Sequence, residues 1–87
     1  MDLFDQLRAF VATARCGSFT AAAEELGTSN RLTSKYVAEL EQRLGVRLLQ
    51  RTTRQVGLSP AGETLLAHVP ALLDGIDDLL EEVSQGT

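Results

Sequence analysis

Between Ser18 and Leu44 the apolar residues are spaced so that two short helices meeting at a tight turn can bury them. Ser18 is a suitable N-cap, because its hydroxyl can accept a bond from a free backbone N–H two or three residues on. Phe19, Ala22, Ala23 and Leu26 follow at helical spacing and give the first helix one apolar stripe. Gly27 ends it where a left-handed residue costs little, and Thr28 or Ser29 can cap the next helix. There, Thr33, Val37, Leu40 and Leu44 fall at steps of four, three and four and make one buried face. Asn30, Arg31, Ser34 and Lys35 lie on the other side, near the helix start.

A short helix, a glycine turn and a longer helix with a polar outer face form the helix-turn-helix pattern, in which that outer face meets a DNA duplex. An ordinary helical hairpin gives the same pattern, and this stretch alone leaves both readings open. The charge distribution bears on the choice. The 87-residue chain has a net charge of −4, which looks wrong for a nucleic-acid binder. The first 14 residues hold Asp2, Asp5 and Arg8, for −1; residues 15–58 hold seven bases and four acids, for +3; residues 59–87 hold six acids and no Lys or Arg, for −6. Phosphate binding follows the local field, since salt screens charges beyond about 8–10 Å. A basic surface is thereby separated from an acidic tail.

A chain of this length, 44% hydrophobic, suits one folded domain near the lower limit for building a core. No run approaches the roughly 18 apolar residues that span a bilayer, and no signal peptide opens the chain, so the expected location is the cytoplasm. Cys16 is the single cysteine, which rules out an internal disulfide and supplies no metal-ligand spacing. With no histidine or basic cluster beside it in sequence, it is expected to be a small half-buried filler.

A first helix is expected from about Asp2, its N-cap, to about Arg15, with Leu3, Leu7, Phe10, Val11 and Ala14 on one face and Gly17 ending it. Gly45 caps the third helix. Val46, Leu48, Gln50 and then Val56, Leu58 alternate as two short strands, with Arg51 to Arg54 as their polar connection. Two arginines at a hairpin tip are either a solvated turn or a wing that reaches phosphate or the minor groove. Ser59 as N-cap and Pro60 at the first helical position open a last helix. Its Leu65, Val69, Leu72, Ile76, Leu79 and Val83 form one seam, and Leu66, Leu73 and Leu80 form a second. Two adjacent seams suit a helix that packs on its own domain and on a partner helix; Leu72, Ile76, Leu79 and Val83 are assigned to the partner. Pro70 should kink or split this helix, and Gly75 weakens it. His68 is expected at or near the surface, with no second ligand at metal spacing. No nucleophile, base and oxyanion donor assemble, and there is no phosphate-binding glycine loop, so no enzyme is expected.

The pieces, in this order, resemble the N-terminal DNA-binding domain of LysR-type transcriptional regulators, most strongly from Phe10 to Leu66. The marks are F-V-A at Phe10, G-S-F-T-A-A-A-E-x-L from Gly17 to Leu26, S-K-x-V-x-x-L-E ending at Glu41, L-G-V-x-L-L-x-R-T-x-R ending at Arg54, and L-S-P-A-G-E ending at Glu63. The resemblance implies a mainly α chain. Residues 1–58 would form a winged helix-turn-helix of three helices and a short two-stranded wing, and residues 59–87 a long linker and dimerisation helix. It implies double-stranded DNA as partner, read at an imperfect palindrome by a homodimer, or by a tetramer in a full-length chain. The third helix would read the major groove and the wing the minor groove. No cofactor, metal or membrane is implied, and a small-molecule effector would act only through a C-terminal domain absent from these 87 residues.

Matched by position, the DNA-contacting set is Ser18, Thr20, Ser29, Asn30, Arg31, Leu32, Ser34, Lys35, Tyr36, Arg51 and Arg54. Three positions depart from the family pattern. Arg31 stands where a small residue or proline is usual, Thr33 replaces a Val or Leu on the inner face, and Pro70 is unusual in the linker helix. The alternative function is an interaction module that pairs with a related full-length regulator through its long helix without reading DNA.

Overall fold

The computed structural model describes residues 2–51 and 56–85. Four helices, α1 (Leu3–Cys16), α2 (Phe19–Leu26), α3 (Asn30–Leu44) and α4 (Pro60–Ser84), are joined by strands β1 (Leu49–Arg51) and β2 (Val56–Leu58) between α3 and α4. Each helix starts where a side-chain oxygen takes a backbone N–H that has no partner within the helix. Asp2 accepts from Phe4, Ser18 from Ala21, Ser29 from Leu32 and Ser59 from Gly62, at 3.0–3.1 Å. Ser29, rather than Thr28, is thus the cap of α3. Glycine ends the first three helices: Gly17, Gly27 and Gly45 have φ of 73°, 70° and 73°. At the α2–α3 turn the N–H of Thr28 reaches back to the carbonyl of Ala23 at 2.9 Å, the six-to-one bond of a Schellman end.

The core is the apolar stripe of α1 closed in by the other elements. Ala9, Phe10 and Val11 pack with Val37 and Leu40 of α3, with Leu48 and Leu49 at the wing's root, and with Val69 and Leu73 of α4. Thr33 lies in this interior at 0% exposure, and its hydroxyl donates to the carbonyl of Ser29 at 2.9 Å, so burial leaves no orphan polar group. Gln6, also buried, accepts from Arg43 Nε at 3.2 Å and ties α1 to the far end of α3.

The strands pair antiparallel, Leu49 opposite Leu58, Gln50 opposite Gly57 and Arg51 opposite Val56. The first strand begins three residues later than the alternation from Val46 suggests. Val46 is exposed, while Leu48 and Leu49 are both buried, because the N–H groups of Gly45, Val46, Leu48 and Leu49 turn toward Glu41 before the ladder starts. The wing's second strand is anchored at its start, where the Val56 N–H meets the carbonyl of Gly17.

Helix α4 runs unbroken through Pro70, so the proline does not split it. An interior proline costs about 3 kcal/mol. Burial of Val69 and Leu73 on either side, worth roughly 1.5–3 kcal/mol each, holds the two halves on one surface. The helix packs on α1 and β2 and then projects, giving the molecule a long dimension of 50 Å against 25 and 21 Å. Cys16 is exposed, contrary to the half-buried filler expected, since the last turn of α1 extends past the helices that cover its middle. Among the described residues no helix is long and apolar enough to cross a membrane.

Candidate nucleic-acid interface

The start of α3 presents an open, basic surface. Its first turn carries no acid, and the backbone N–H groups there add the positive end of the helix dipole. Arg31 and Lys35 stand one turn apart, both exposed, and neither forms an ion pair among the described residues. With Ser29 and Leu32 they rim a shallow concavity. Asn30 is exposed beside them and donates from Nδ2 to Thr20 Oγ1 at 2.9 Å, which fixes α2 against α3 at this edge. Ser34 is half-buried on the same turns.

Two members of the expected set also make contacts within the domain. The Ser18 hydroxyl is engaged as the cap of α2. Tyr36 is half-buried against the core and lines a separate cleft with Asp5, Arg8, Leu26, Thr28 and Leu32. Arg54 and the side chain of Arg51 lie outside the described residues. Arg43 adds to the basic count of the sequence, but its guanidinium is turned to Gln6. Arg47, exposed at 74%, has only a loose approach of 3.9 Å to Glu41. The Thr20–Asn30 bond is a contact that sequence reasoning missed. Both residues were singled out as DNA-facing, and their ten-residue separation gave no sign that they hold each other.

The seam expected to meet a partner is also exposed. Leu72, Leu79 and Val83 are 63%, 55% and 67% exposed, and Leu80 of the second ladder is 60% exposed. Ile76 is half-buried at the junction, where the helix leaves its own domain. An apolar groove lined by Leu44, Val46, Leu65, His68 and Leu72 joins this seam to the body of the domain.

Three helices with a two-stranded wing, the third opening on exposed bases, define a winged helix-turn-helix domain. The model of the bacterial regulatory helix-turn-helix proteins of the lysR family matches residues 4–63. The chain belongs to that family and carries its helix-turn-helix DNA-binding domain.

Among curated relatives, it is 46% identical over 78 residues to the uncharacterised HTH-type transcriptional regulator y4mQ of Sinorhizobium fredii, covering 90% of this chain and 26% of that one. It is 40% identical over 84 residues to the HTH-type transcriptional regulator DmlR of Escherichia coli, covering 97% and 27%. The chain thus spans about a quarter of the length of these relatives. Among solved structures it is similar to the BenM DNA-binding domain in complex with catB site 1 DNA, with a TM-score of 0.88, 33% identity and coverage of 98% and 93%. It is also similar to the CbnR DNA-binding domain bound to DNA, with a TM-score of 0.87, 30% identity and coverage of 98% and 97%.

Proposed function

We propose that this chain binds duplex DNA sequence-specifically as a homodimer and serves a cytoplasmic transcription regulator. The observation that carries the reading is the exposed, acid-free start of α3, where Arg31 and Lys35 stand free of ion pairs among the described residues. Arginine and lysine on the first turns of a recognition helix reach guanine edges or phosphates in the major groove. Ser29, Asn30, Leu32 and Ser34 fill in the contact surface, with Thr20 at its margin. The wing arginines Arg51 and Arg54 take the minor groove beside it, where negative potential favours them. Two relatives of the same fold have been solved with DNA bound, which supports this docking.

The partner is a second copy, held through Leu72, Ile76, Leu79 and Val83, with the groove beside Leu44 and Val46 continuing the same apolar surface. Leucines exposed in a row on a projecting helix are costly in water and call for cover. A symmetric pair places two α3 helices for half-sites about one helical turn, some 34 Å, apart.

Selection of binding sites from a random duplex pool tests the proposal. The expected result is an inverted repeat at one-turn spacing. A pool with no enrichment, from a chain that nonetheless pairs with a full-length relative, would replace this function with that of an interaction module.

A further inference from the structure

A single residue gathers the segment that leads from α3 into the wing. The backbone oxygen of Glu41 accepts from the N–H of Gly45 at 2.8 Å and of Val46 at 3.3 Å. Its carboxylate Oε2 accepts from Leu48 at 2.8 Å and from Leu49, the first residue of β1, at 3.2 Å. That side chain is only 13% exposed, although an acid in the last turn of a helix faces the negative end of the dipole. The N–H groups it collects account for a position that the dipole disfavours.

The other side of the same turn is fastened to α4. The carbonyl of Leu48 accepts from Ser59 N–H at 3.0 Å, and the carbonyl of Arg47 accepts from the Ser59 hydroxyl at 2.5 Å. A hairpin with three residues in each strand has few bonds of its own, so its direction follows from its anchors, the root and the Val56 N–H bond to the Gly17 carbonyl. On the α3 side that root is held by a charged acceptor, the stronger class of hydrogen bond.

We propose that Glu41 is a positioning residue for DNA reading: it sets the offset between the major-groove helix and the minor-groove wing without touching DNA. The inference rests on the wing reading DNA as set out above. Loss of the charge leaves α3 and its bases in place and lets the wing drift. Preference for A·T-rich flanks, which depends on arginine placed in a narrow minor groove, is then lost before preference at the major-groove positions.

The test measures two affinity ratios for the 87-residue chain: A·T-rich against G·C-rich flanks, and consensus against mutated bases facing α3. In Glu41→Gln, which keeps length and shape, the flank ratio is expected to fall roughly five-fold, the difference between a charged and a neutral acceptor. The major-groove ratio should stay within about two-fold. Glu41→Ala should lose the flank preference entirely; if that chain fails to fold by circular dichroism, Glu41→Gln decides alone. An unchanged flank ratio in Glu41→Gln, or both ratios falling together, overturns the proposal. A parental chain with no flank preference refutes the wing reading instead.

Discussion

In the proposed dimer, replacing Leu79 by aspartate should separate the two copies and leave each domain folded. Leu79 is 55% exposed on a part of α4 that has left its own core, so the domain loses little by the change. Surface substitutions of this kind stay within about 0.5 kcal/mol. The paired state loses more. Full burial of a leucine is worth roughly 1.5–3 kcal/mol, and about half of that surface remains to be covered, giving about 1 kcal/mol per copy and about 2 for a symmetric pair. Two carboxylates brought into an apolar seam add at least as much again in desolvation and mutual repulsion. A total of about 4 kcal/mol weakens dimerisation roughly a thousand-fold. Sedimentation velocity at micromolar protein should then show a monomer that keeps its helical circular dichroism. Because tethering two readers raises affinity by roughly 10²–10⁴, titration with a two-half-site duplex should show a loss of that order. Titration with a single half-site should be unchanged. A monomeric Leu79→Asp chain that binds the full site with parental affinity would refute the reasoning.

Other substitutions check the remaining arguments. The two glycines of α4 should respond with opposite sign. A Cβ on Gly62 would sit 2.1 Å from the carbonyl oxygen of Leu48, so Gly62→Ala should push α4 off the wing's root and destabilise by about 3 kcal/mol in chemical denaturation. A Cβ on Gly75 meets nothing within 4 Å, and Gly75→Ala should stabilise by about 0.8 kcal/mol. Thr13 is fully buried and its hydroxyl has no hydrogen-bond partner among the described residues, so Thr13→Val should raise stability by about 1 kcal/mol in the same assay. Arg31→Ala should relax preference at one position of each half-site in a selection experiment. An equal loss for all sequences, with a salt slope smaller by about one, would make Arg31 a phosphate contact only.

Helix boundaries were legible in the sequence because capping is a local transaction. Ser18, Ser29 and Ser59 each bond an N–H three residues ahead, and Gly17, Gly27 and Gly45 need only their own φ. The exposed bases of α3 were legible for the same reason, since 3.6-residue periodicity assigns their face. What depends on contacts farther along the chain was not. The start of β1 is set by a carboxylate eight residues upstream, and the Arg43 guanidinium is turned to a glutamine 37 residues away. Pro70 does not break the helix, because burial on both sides of it outweighs a local preference of about 3 kcal/mol.

The acids of α4 give the molecule a front and a back for the encounter with DNA. All six, from Glu63 to Glu82, are exposed on one helix, and the excess bases belong to the segments before it. At an ionic strength near 0.01 M, with a Debye length of about 30 Å, a duplex feels the whole charge of −4 and repels the approaching chain. Near 0.15 M that reach shrinks to about 8 Å, and only the nearest face is felt. Collisions that lead with α4 therefore meet repulsion, while those that lead with α3 meet its bases. Association becomes a rotational search as much as a translational one, and the acidic helix trades fast, indiscriminate capture for arrival in one orientation.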